Sequence, residues 1–199
     1  YQRKRGLLRV AAIGQVIILA GAGCKSPSPT EGSGINDVAV SQALVGKDSS
    51  RTVTAANTVV NGYAALAANA AVGATSIQVN AIADFTNGTP ARPALAVGDL
   101  VLIIQMAGAT INTNDEAAYG TVTDLGSAGR YEFAGVTGIT TNTISLGCGL
   151  KNAYTVAGKT QVVRVPQYTN LTINSGASIT ADAWNGTVGG VVAVHAMNT

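Results

Sequence analysis

The chain is poor in the residue types from which most soluble enzymes assemble their sites. Of its 199 residues only 11% are charged and 5% aromatic, two are cysteine and one is histidine. A lone His195 cannot supply a multi-histidine zinc site, and no serine or acid is placed to complete a triad with it. At the end of an apolar strand it reads as structural. Scarce Glu, Lys, Arg and Leu argue against a helical cytosolic protein, whereas abundant Thr, Asn, Ala and Val with 24 glycines favour strands joined by turns. The formal charge of +2 is uneven, because Arg3, Lys4, Arg5 and Arg9 all precede the first apolar run. From Cys24 onward, eight basic residues face ten acidic ones, a net of −2. No basic patch remains to hold nucleic acid.

What is present begins with a leader. Residues 3–9 form a basic region, and Val10 to Ala22 an apolar stretch broken only by Gln15. That is the length of a secretory h-region and short of the ~20 residues a membrane span needs. Ala20, Gly21, Ala22 and Gly23 then lead into Cys24. Small residues before a cysteine fit a lipoprotein signal, with Cys24 acylated as the new N-terminus, although Gly21 stands where that motif usually has Leu. Cleavage after the Ala20-x-Ala22 pair is the alternative, and Lys4-Arg5 resembles a twin-arginine signal with its first arginine replaced. Lys25 to Gly34, rich in Pro, Ser and Gly, follows as a tether, which favours the acyl anchor. With Cys24 acylated, Cys148 has no disulfide partner here and reads as a small residue near a strand end. The start at Tyr1 and the stop at Thr199 inside a strand-and-turn pattern both suggest a piece of a longer protein.

The densest aliphatic run beyond the leader is Leu95 to Met106. A Gly98-Asp99 turn precedes it and Gly108 closes it, so it reads as a strand buried on both faces. Around it, short strands are expected near Thr58 to Tyr63, Ala74 to Val79, Tyr119 to Asp124, Tyr131 to Val136, Thr143 to Leu146 and Gln161 to Val165. Turn signals about every ten residues suit a small barrel or sandwich. After Pro166 the pattern changes. Leu171 to Ala181 gives two short strands about a glycine turn and Gly189 to Val194 begins a third, like the first rungs of a right-handed β-helix.

Several ordered motifs carry a resemblance: Gly98 to Ala109, Ala118-Tyr-Gly120, Ala128 to Phe133, Val162 to Tyr168, Ala183-Trp-Asn-Gly186 and Gly189-Gly190. Together they resemble the N-terminal region of large bacterial cell-surface proteins described as adhesin-like or gliding-motility-associated, over roughly residues 58–196. The resemblance implies an exported, envelope-associated module heading a longer protein, and it brings no catalytic residues with it.

Few residues invite a site. Asp115-Glu116, with Asn112 and Asn114, makes an oxygen-rich loop without the alternating acids and central Gly of a calcium-binding loop. Trp184, between polar neighbours, is either a sugar-stacking platform or a lid on the end of a β core. The acids are scattered singly among turns, so no catalytic pair, metal or cofactor site is expected. The expectation is an all-β protein: signal peptide over 1–23, a tether or poorly ordered segment over 24–50, a small barrel-like or sandwich domain over 51–165, and the start of a β-solenoid over 166–199. Its expected role is a surface or secreted structural or adhesion module, held to the membrane by an acyl group on Cys24. Candidate partners are polysaccharide, other surface proteins or copies of itself. The alternatives are the non-catalytic head of a β-helical polysaccharide-active enzyme and a self-assembling surface filament.

Overall fold

The run from Leu100 to Gln105 is a strand, β6, with both faces covered, as its unbroken aliphatic sequence requires. In the computed structural model, which describes residues 15–18 and 46–199, β6 lies inside a six-stranded sheet. In chain order the remaining strands are β1 (Gln15–Ile18), β2 (Arg51–Val53), β3 (Thr58–Val59), β4 (Gly62–Ala65) and β5 (Ser76–Gln78) before β6. After it come β7 (Thr110–Ile111), β8 (Val122–Asp124), β9 (Tyr131–Thr140), β10 (Thr143–Leu146) and β11 (Thr160–Val165). β12 (Gln167–Ile173), β13 (Ile179–Thr180) and β14 (Val191–Asn198) complete the set. Among the described residues the chain is all-β, with one 3-10 helix at Ile82–Thr86.

The large sheet has the order β4-β11-β6-β9-β10-β5, every pair antiparallel. It curls until its outer strands meet just beyond their ends. Leu66 bridges Val79 there, Ala67 N donates to Gln78 O, and Asn80 N donates to Ala65 O. Period-two alternation then sends Ala64, Ile77, Val101, Ile103, Val136, Ile144, Leu146 and Val162 into the interior of this barrel, where Phe85 and Tyr154 join the same core.

The opposite faces of β4, β11 and β6 are buried too. Tyr63, Leu102, Ile104, Val163 and Val165 pack against Val191 and Ala193 of β14 in a second core. A third core, with Val53, Val60, Tyr168, Leu171 and Val194, lies inside a stack of parallel strands.

That stack is a solenoid. β12 pairs in parallel with β14 through Gln167↔His195, Tyr168↔Ala196 and Asn170↔Asn198, so one coil spans 28 residues. On its other side β12 pairs in parallel with β2, and β13 with β3, across separations of 120 and 121 residues. The barrel is therefore an insertion within a coil. β2 and β3, which the sequence places at the start of the barrel domain, are solenoid rungs instead. Their partners lie so far along the chain that no local pattern advertises them. A column of polar side chains marks the stacking: Asn198 Nδ2 donates to Asn170 Oδ1 and Asn170 Nδ2 to Ser50 Oγ.

The chain leaves the solenoid at Val60-Asn61 and returns at Pro166. The expected strand from Thr58 to Tyr63 accordingly splits in two, β3 in the rung and β4 in the barrel. Three buried carboxamides stitch the two parts together. Asn61 Nδ2 donates to Arg164 O at 2.9 Å and Ala193 O at 2.6 Å, and its Oδ1 accepts from Ala193 N. Gln161 exchanges two hydrogen bonds of 2.9 Å with the backbone of Gly189, as a strand neighbour would. Gln167 Oε1 accepts from Leu100 N at 3.0 Å. Each carboxamide replaces ladder bonds that strands diverging into different sheets cannot make for themselves.

At the end of the segment expected to be poorly ordered or an edge through residue 50, Lys47 and Asp48 are docked in an ion network described below. β1 runs parallel to Val191–Val194 on the outer edge of β14. The rest of the leader, with Cys24 and most of the tether, lies outside the described residues.

Candidate functional site

A cleft of about 300 Å³ opens where the barrel meets the solenoid. Its floor is β4, with the Tyr63 ring, Ala64 and Ala65, and Val188 closes one side. The barrel contributes Asn80, Asp84, Asn87 and Arg92 from the 3-10 helix and the turns around it. The solenoid contributes Asp182, Asn185 and Thr187 from the loop between β13 and β14.

The geometry depends on Gly62. A Cβ there would stand 2.1 Å from Phe85 O, so the glycine lets the 3-10 helix lie directly on β4. From the end of that helix the chain turns through Gly88, where a side chain would meet the Arg92 guanidinium at 2.8 Å. Arg92 is thus led inward. Its side chain is only 8% exposed, it lies 5.7 Å from the Tyr63 ring centre, and its Nη2 forms an ion pair of 2.6 Å with Asp182. Tyr63 itself donates to Val191 O at 2.7 Å. Burial, with the Asp182 carboxylate nearby, pushes that phenol up to about 12, so it remains a neutral donor.

Several polar groups in the cleft remain uncommitted among the described residues. The Asn80 side-chain amide and Asn185 Nδ2 make no hydrogen bond to protein. Asn185 Oδ1, by contrast, accepts from Thr187 N and Val188 N and holds the loop shape. Arg92 spends one guanidinium nitrogen on Asp182. Asp84 accepts one 3.3 Å bond from Asn87.

Trp184 belongs to the same loop, between Asp182 and Asn185, and is 41% exposed. Sequence singled it out; Asn80, Asp84, Asn87 and Arg92 were not singled out, since nothing local marks such residues as facing a cleft. The other sequence candidates lie elsewhere. His195 sits on β14 opposite Gln167, its Nδ1 buried without a hydrogen-bond partner among the described residues. Asp115 and Glu116 are exposed in the β7–β8 hairpin, where Asn112 Nδ2 donates to Glu116 Oε1. Cys148 is half-buried beyond β10.

Away from the cleft, the buried charges bind one another. Asp99, fully buried just before β6, accepts from Arg164 Nε at 2.8 Å, from Lys47 Nζ at 2.5 Å and from Ala96 N at 2.8 Å. Arg164 Nη2 reaches Asp48 Oδ1 at 2.6 Å, and Asp48 Oδ2 accepts from Gln167 N at 2.7 Å. Burial by itself would raise the Asp99 carboxyl, but the hydrogen bonds from Arg164 and Lys47 outweigh it and hold the group below the usual carboxylate range. This network fastens the segment before the first rung to the barrel's central strand.

No protein-family model and no curated protein matches the chain. Solved structures similar to it include the tailspike gp61 of Pseudomonas phage phi297, at 15% identity and TM-score 0.35, covering 66% of this chain and 24% of that one. The tailspike gp49 of Pseudomonas phage LKA1 is similar at 16% identity and TM-score 0.32, covering 66% and 26%. The Gp54 tailspike of Acinetobacter baumannii bacteriophage AP22, solved with A. baumannii capsular saccharide, gives 13% and 0.35, covering 74% and 26%. The chain spans about a quarter of the length of these proteins, and a likeness at this level assigns no activity to it.

Proposed function

We propose that this chain is an exported structural and binding module of the bacterial envelope, in which the barrel forms the base of a β-solenoid and an acyl group on Cys24 holds it to the membrane. The observation that carries the reading is the insertion of the barrel within a coil. The central strands of the barrel and β14 of the solenoid share one apolar core, so the barrel fixes the solenoid's position. The buried pair Asp99 and Arg164, with Lys47 and Asp48 at its edge, serves the same joint, a structural use of ionisable residues. The leader, the small residues before Cys24 and the Pro/Ser/Gly tether support export and anchoring, and the resemblance to adhesin-like surface proteins supports a surface location.

Mass spectrometry of the full chain expressed in a bacterium with lipoprotein processing tests the anchor. The expected product begins at Cys24 and carries acyl mass. A mature N-terminus at Gly23, or an unmodified Cys24, contradicts it.

A further inference from the structure

We propose that the cleft between the 3-10 helix and the β13–β14 loop is a binding subsite for a single neutral, hydroxyl-rich sugar ring. Nothing in this inference depends on the acyl anchor.

A sugar ring presents hydroxyls that both donate and accept, together with apolar C–H faces. The cleft offers carboxylate acceptors at Asp84 and Asp182, amide groups at Asn80 and Asn185, and guanidinium donors at Arg92, around the apolar surface of Ala64, Ala65 and Val188. Two carboxylates face one guanidinium, so the local field opposes a phosphate, a uronate or a nucleic acid. A volume of about 300 Å³ lies at the small end of ligand clefts and suits one ring rather than an extended chain.

The site is also preorganised. Arg92 is pinned by Asp182, by the Tyr63 ring and by the space at Gly88, and Asn185 is held by its own turn, so little side-chain freedom remains to be lost on binding. The exposed amides of Asn80 and Asn185, bonded to no protein atom among the described residues, are open to a ligand hydroxyl without breaking a protein bond. Trp184 lies on the same loop outside the cleft lining, exposed between Ala183 and Asn185, where it can be reached by whatever extends beyond the bound ring.

Saturation-transfer NMR on the full chain tests this, with the methyl glycosides of glucose, galactose and mannose as neutral probes and methyl glucuronide as the anionic one. The expected result is transfer to ring protons of at least one neutral glycoside, little transfer to the glucuronide, and binding weakened at least fivefold by Asn80→Leu. Asn80 is chosen because its side chain bonds to no protein atom among the described residues, so the fold is expected to survive. Trp184→Ala provides a second variant outside the core. Absence of transfer to all the neutral probes, stronger transfer to the glucuronide, or transfer unchanged in both variants overturns the proposal.

Discussion

Arg164 grips Asp99 with two nitrogens, Nε at 2.8 Å and Nη2 at 3.3 Å, while the same Nη2 reaches across to Asp48. The pair lies where the barrel's two most buried strands run side by side, with Arg164 of β11 in register with Val101 of β6. Three parts of the molecule therefore meet on one guanidinium. Removing either member strands a buried charge, which costs about 3–5 kcal/mol. Arg164→Met and Asp99→Ala are each expected to lose that much in chemical denaturation. Arg164→Lys, which keeps the charge but not the fork, should recover only part of it.

The same carboxyl makes stability depend on acid. Because Asp99 is held below its ordinary value of 3.8 in the folded chain, its contribution is complete above that value and disappears as pH falls through the lower folded one. Wild-type stability should therefore decline below roughly pH 4. Asp99→Asn should start less stable and decline less steeply over the same range. Denaturation midpoints collected from pH 6 downward check both slopes.

Gln161 joins the barrel to the loop above the cleft. Gln161→Leu leaves the buried N–H and C=O of Gly189 without partners, at about 1–3 kcal/mol for each unpaired group. The expected signature is a lower midpoint together with faster amide exchange at Gly189. Asn198→Ala removes only the exposed end of the asparagine column and should stay within about 0.5 kcal/mol of wild type.

Gly62→Ala forces a methyl group onto Phe85 O and must lift the 3-10 helix from β4. Overpacking of this kind costs about 1–3 kcal/mol. Because the helix carries one wall of the cleft, loss of any glycoside binding should accompany the lower stability, and the two are measured on the same sample.

The central strand was legible because its residues leave it no exposed face: an uninterrupted aliphatic run needs cover on both sides, and Gly98 and Gly108, both at positive φ, delimit it. β10 and β11 were legible from short apolar alternation or runs between turn signals, and β9 in part, since it continues to Thr140 beyond the expected end at Val136. The first rung was legible only as part of the strand expected from Thr58, and not as a rung. Arg51–Val53 and Thr58–Val59 are short, polar and Ala-flanked, and what makes them strands is a parallel partner 120 residues away. The coil length could not be read either, since 28 residues recur only once within the described chain. Asn61, Gln161 and Gln167 look like ordinary polar residues in sequence, and only the branching of the chain between barrel and solenoid explains their complete burial. On the loop that borders the cleft, Trp184 stood out as the single tryptophan, whereas Arg92, between Ala91 and Pro93, carries no local mark of a site.

The central claim is that barrel and solenoid form one cooperative body around the core shared by Leu102, Val163 and Ala193. Its most direct test is urea unfolding followed by two probes on the same protein: Trp184 fluorescence for the solenoid loop, and amide exchange at Val101 to Ile104 for the barrel. Coincident midpoints are expected, both lowered together by Leu102→Ala, at a cost of about 2–5 kcal/mol. Two separated transitions, with the tryptophan signal unmoved by Leu102→Ala, would contradict it.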